Sequence, residues 1–164
     1  MGACMTWNPS AANQGVVVVD ANVAIALAAR EVAKEAQARA ALTYYSNSGY
    51  VLFAPGVIVS ETLFVLCGKE QQRLLSPPEY AQAIVDFHAF MVGVLPPPNG
   101  EASLILRADQ IRGSYGCGRS ADAIYIALAE ELSQTHTTRL LTFDQGLPNQ
   151  AARNALLVSV HLLT

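Results

Sequence analysis

VVVVDANVAIAL, residues 16 to 27, is the stretch that decides the fold. Valine is β-branched and suits the pleated conformation, so Val16 to Val19 reads as a strand. The run does not alternate apolar with polar, so both faces of the strand should be buried, as in a parallel sheet covered by helices. The strand then ends on Asp20. An ionised carboxylate in an apolar interior costs several kcal/mol unless something compensates it. The rest of the sequence has to supply that compensation.

Outward from this stretch, strands and helices alternate. Val23 to Ser48 is rich in Ala, Glu, Lys, Gln and Arg and reads as one or two helices. YVLFAP, from Tyr50, reads as a second strand, and Val57 to Leu75 as a helix that is apolar nearly all round. Pro77 and Pro78 open another helix that runs to about Val92. A short strand is expected at Gly93 to Pro96, a turn at Pro97 to Gly100, and a helix over Ala102 to Ile111. The glycine-rich GSYGCG follows, then a helix from Ser120 to Thr135. RLLTFD reads as a strand ending on Asp144, and ALLVSV, from Ala155, as the last strand. Strands alternating with helices imply right-handed crossovers and a mostly parallel sheet. The expectation is an α/β fold, with residues 1–14 a loose, small and polar tail and residues 15–164 a single domain.

Bulk properties agree. The chain has 164 residues, 52% hydrophobic and only 14% charged, which suits a compact core. Asp20 and Glu61 interrupt the two best apolar runs, so no membrane span is expected. The N-terminus lacks a basic region followed by an apolar one, and Cys4, Cys67 and Cys117 form no CxxC pair. Both features point to the reducing cytoplasm. A net charge of −3 argues against a broad basic surface for nucleic acid.

Four acids stand out. Asp20 and Asp144 follow strands, at the edge where open parallel sheets place their sites. Each can also be read as a helix cap, since an Asp between strand and helix sits well at the helix dipole. Asp122 in SADAIYIALA has Tyr125, Ile126 and Ala129 on its face, though a first-turn dipole residue would look the same. Glu61 in VIVSETLFVL has neither excuse. Its helical face carries Val57, Ile58 and Val65, so it needs a base or a cation. Arg119 is the only base within a helical turn of any of the four. The simplest compensation is a divalent metal, Mg²⁺ or Mn²⁺, which takes oxygen ligands. Hard cations on clustered carboxylates suit phosphate esters. Without these four, nine acidic side chains face ten basic ones, so an RNA substrate is permitted.

These four segments resemble the PIN domain, in particular the VapC-type toxins of prokaryotic toxin–antitoxin pairs. The matching pieces are VVDANVAIAL, PGVIVSETL, RSADAIYIALAEEL and RLLTFDQGL, in that order, over about Val16 to Val160. The resemblance implies a three-layer α/β/α domain with a five-stranded, mostly parallel sheet. It implies a metal-dependent endoribonuclease with Asp20, Glu61, Asp122 and Asp144 around one or two Mg²⁺ or Mn²⁺ ions. Asn22, Ser60 and Thr142 fall where the family often has small polar groups that orient carboxylates or metal-bound water. Arg119 either contacts the substrate phosphate or pairs with Asp122. A homodimer and a cognate antitoxin are implied as partners. The four acids do not separate a toxin from a PIN domain used in RNA processing, and residues 77–118 carry no family signature.

Other readings are weaker. GSYGCGRS, residues 113 to 120, fits GxxxxGK[ST] except that Arg119 replaces the lysine, and a helical segment rather than a strand precedes it. An aspartyl nucleophile at Asp20, as in receiver-like phosphotransfer domains, wants a nearby lysine, and Lys34 and Lys69 lie at no strand end. A pure binding scaffold gains nothing from four clustered acids. His88, His136 and His161 are isolated, and neither HExxH nor GxSxG occurs.

Overall fold

The computed structural model describes Trp7 and residues 14–164. Five strands form one sheet: β1 (Val16–Val19), β2 (Val51–Phe53), β3 (Val94–Leu95), β4 (Thr138–Thr142) and β5 (Ser159–Leu162). The helices are α1 (Ala21–Ala28), α2 (Val32–Asn47), α3 (Val57–Gln71), α4 (Pro77–Val92), α5 (Ile105–Arg112), α6 (Ser120–Ser133) and α7 (Leu147–Asn154). Two 3₁₀ turns, Glu101–Leu104 and Cys117–Arg119, precede α5 and α6. The strand order is β3-β2-β1-β4-β5 and every pairing is parallel. This is the expected α/β fold, with helices on both faces of the sheet.

The valine run sits at its centre. Val16 to Val19 are all 0% exposed, because β1 pairs with β2 on one side and β4 on the other. Val16 and Val18 pack into one core with Phe53, Ile58, Tyr125 and Leu140, whereas Val17 and Val19 pack into the other with Val23, Tyr45 and Leu141. Each buried valine contributes about 1.5–3 kcal/mol of transfer free energy. The chain leaves β1 toward β2 and β3, then returns to β4 and β5 on the opposite side. That reversal opens a crevice at the carboxyl ends of β1 and β4.

Several boundaries differ from the sequence reading. The long Ala-rich segment splits at Ala29 to Glu31, although no glycine marks the break. Arg30 takes the left-handed conformation (φ 52°), the Glu31 N–H reaches the Ala26 carbonyl, and the Arg30 N–H reaches that of Leu27. This is a Schellman motif with arginine where glycine is usual. Arg73 (φ 60°) ends α3 in the same way. Helix α7 was not expected at all, and the last strand lies later than Ala155 to Val160. Ala155 to Val158 is a turn closed by the Val158 N–H on the Ala155 carbonyl, and pairing with β4 starts only at Ser159.

Residues 1–6 and 8–13, most of the expected tail, lie outside the described residues. Trp7 packs on the core, edge-on to Phe53 at 4.9 Å and against His136 at 4.6 Å. Cys67 and Cys117 are free thiols, and Cys4 is outside the described residues. Among the described residues no helix is long and apolar enough to cross a membrane.

Candidate active site

Asp20 closes β1 and is only 6% exposed. Its carboxylate makes no capping bond to N2 or N3 of α1, so the helix-cap reading does not account for it. Instead Oδ2 accepts from Asn22 Nδ2 at 2.7 Å and from Thr142 Oγ1 at 2.6 Å. Burial pushes the Asp20 pKa up to about 7; the Thr142 bond opposes the shift, and the charges of Asp122 and Glu61 add to it.

Thr142, the last residue of β4, is 0% exposed, and its hydroxyl uses all three of its hydrogen-bonding positions. It donates to Asp20, accepts from Asn22 Nδ2 at 3.0 Å and accepts from the Asp144 N–H at 2.9 Å. Asn22 completes the frame, because its Oδ1 accepts the Phe143 N–H at 3.0 Å. Two strand ends are thus stitched together by one hydroxyl and one amide.

Glu61 reaches the crevice from α3. The Tyr125 hydroxyl, on α6, donates to its Oε2 at 2.8 Å. Burial raises the Glu61 pKa, and Asp122 adds to the rise. Tyr125 is 0% exposed, and burial together with Glu61 and Asp20 holds its phenol firmly protonated. It is therefore a fixed donor to Glu61.

Asp122 stands in the first turn of α6, where the helix dipole also favours a carboxylate. Its Oδ2 accepts from Arg119 Nη1 at 3.0 Å and from Gln150 Nε2 at 3.1 Å. The same Arg119 nitrogen donates to Asp144 Oδ2 at 3.0 Å. Asp144 Oδ1 accepts the Gly146 N–H at 2.7 Å, an Asx turn that leads into α7. A side chain at Gly146 would crowd this turn, since a Cβ there would lie 3.1 Å from Asp144 Oδ1.

Seven of the eight residues singled out from the sequence are tied into this crevice. Ser60 is not: it is exposed, and its hydroxyl donates to the Val57 carbonyl of its own helix. Arg119 pairs with Asp122, one of the two roles the sequence left open for it, and also with Asp144. Tyr125 and Gln150 were missed. A tyrosine inside an apolar helix must place its hydroxyl somewhere, which was the available signal. Gln150 carried none, because α7 itself was not read.

Among the described residues, no three Asp, Glu, His or Cys side chains stand as a preformed metal cage. The donor set nonetheless fits a hard divalent cation. The four acids offer oxygen ligands, Arg119 is the only base bonded to them among the described residues, and burial together with the charge of Asp122 raises two of the carboxyls, Asp20 and Glu61.

A comparison with curated protein sequences finds no match. Among solved structures, the chain is similar to the crystal structure of VapBC2 from Rickettsia felis bound to a DNA fragment from its promoter. The TM-score is 0.60 at 8% identity, over 90% of this chain and 98% of that one, a likeness of fold. The PIN domain family model matches residues 17–153. With that match over most of its length, the chain belongs to the PIN domain family, a family of nucleases.

Proposed function

We propose that this protein is a metal-dependent endoribonuclease, acts in the cytoplasm, and serves as the toxin of a toxin–antitoxin pair. The observation that carries the reading is the convergence of Asp20, Glu61, Asp122 and Asp144 from β1, α3, α6 and the β4 end, with Arg119 as their sole bonded base among the described residues. Mg²⁺ or Mn²⁺ held by these four would polarise a phosphoryl oxygen and activate water. The protein's own part is positional. Thr142 and Asn22 hold Asp20, Tyr125 holds Glu61, and Arg119, bonded to Asp122 and Asp144, would offer its guanidinium to the scissile phosphate. The receiver-like alternative lacks its lysine, since Lys34 and Lys69 both pair with Glu31.

Two partners follow from the same reading. The structural neighbour is a toxin–antitoxin complex on promoter DNA, which supports an antitoxin here. Helix α3 leaves Val59, Leu63 and Phe64 exposed, at 41%, 39% and 81%, and such a stripe supports a symmetric homodimer.

Purified protein is expected to cleave RNA with Mg²⁺ or Mn²⁺, to stop with EDTA, and to run as a dimer by light scattering. Asp122→Asn should remove cleavage without unfolding the protein. Undiminished cleavage by that variant would sink the assignment. A short gene just upstream encoding a DNA-binding partner distinguishes a toxin from an RNA-processing enzyme.

A further inference from the structure

Gln150 lies on α7 and is 1% exposed. Its Nε2 donates to Asp122 Oδ2, while its Oε1 is buried with no hydrogen-bond partner among the described residues. A buried amide oxygen left unpaired is destabilising, and an apolar side chain of similar volume would avoid that cost. Stability therefore does not explain the amide.

The contact it makes does. Asp122 Oδ2 accepts from both Gln150 and Arg119, and neither bond uses Oδ1. Two donors on one oxygen fix the rotation of the carboxylate and leave the other oxygen as the free ligand. Arg119 is poorly suited to do this alone, because its side chain is 45% exposed and shared with Asp144. The Gln150 amide is enclosed. Its orientation follows from the charge of its partner: turned over, it would set Oε1 against an anionic oxygen.

We propose that Gln150 is a positioning residue, which pins Asp122 Oδ2 so that Oδ1 faces the divalent cation. The proposal rests on the metal-dependent reading above. It assigns α7 a task beyond covering the sheet.

The test compares the parent, Asp122→Asn, Gln150→Met and Gln150→Leu in two measurements. One is Mn²⁺ affinity, followed by the loss of the free-ion electron paramagnetic resonance signal. The other is the melting temperature in metal-free buffer. Both Gln150 variants should bind Mn²⁺ about 10- to 100-fold more weakly, as is typical when a ligand's hydrogen-bond partner is removed. Their metal-free melting temperature should equal or exceed that of the parent, since the unpaired oxygen is gone. A lower melting temperature with parental Mn²⁺ affinity, in whichever variant folds, makes Gln150 a packing residue and overturns the proposal. If Asp122→Asn loses Mn²⁺ but the Gln150 variants do not, the role of Gln150 alone fails. If the folded parent takes up no Mn²⁺, the metal-dependent reading fails and the proposal goes with it.

Discussion

Asp20 and Asp144 follow adjacent parallel strands and touch the same threonine, yet the protein holds them in opposite ways. Asp20 is enclosed, its side-chain donors are the neutral Asn22 and Thr142, and burial carries its pKa to about 7. The Asp144 side chain is 29% exposed and has a guanidinium and a backbone N–H on its two oxygens. Neutral donors orient a carboxylate but leave its charge uncompensated, whereas arginine orients it and compensates the charge. The unmet demand for positive charge thus lies on the side of Asp20 and Glu61. Arg119 quiets the Asp122 and Asp144 side.

The contrast breaks most visibly in the pH dependence of stability. Asp20 has a folded pKa near 7 against about 3.9 for an unfolded aspartate. The unfolded chain therefore ionises first. Stability is full below about pH 4, falls as the pH rises, at up to about 1.4 kcal/mol per pH unit, and levels off above about pH 7. Asp20→Asn should flatten that slope in metal-free melting curves and melt above the parent at pH 8. An unchanged slope would show that Asp20 ionises freely in the fold.

Thr142→Val attacks the joint between the two halves. It strips Asp20 of a donor and leaves the Asp144 N–H without its acceptor, at about 1–3 kcal/mol for each buried group stranded. A loss of at least about 2 kcal/mol in urea unfolding is expected, with recovery in Thr142→Ser. Equal losses in both variants would mean that packing, and not the hydroxyl, matters.

The mildest change is Arg119→Ala. Its ion pairs are exposed enough that stability should move by no more than about 1 kcal/mol. Mn²⁺ affinity should rise several-fold, because a resident cation has left the acids. A fall in affinity would instead mean that Arg119 shapes the site for metal. The pair of results from Asp20→Asn and Arg119→Ala states how unevenly charge is compensated across one crevice.

Much of this was legible because certain residues allow few conformations. Four consecutive valines admit little but a buried strand, and Pro77 with Pro78 marks a helix start. Glu61 drew notice because a carboxylate among Val57, Ile58 and Val65 needs a partner. What stayed hidden depends on contacts made across the chain. Arg30 and Arg73 end helices in a conformation that glycine ordinarily signals. Ser60 sits beside Glu61 in sequence, yet its hydroxyl turns back on its own helix. Tyr125 looked like core and is core, but its hydroxyl serves Glu61. Gln150 belongs to an eight-residue helix in LPNQAARN, a stretch whose composition equally suits a loop.

The Asp20–Thr142 bond spans 122 positions, and it dictates when in synthesis this nuclease first becomes competent. Chains emerge from the ribosome N-terminus first, at about 5–20 residues per second. A nascent chain through β3 already carries Asp20 and Glu61 but lacks Asp122, Thr142, Asp144 and Gln150. It has no β4 to flank β1, and Asp20 has no hydroxyl to orient it. The acidic crevice is complete only once α7, the last of the elements that build it, has emerged.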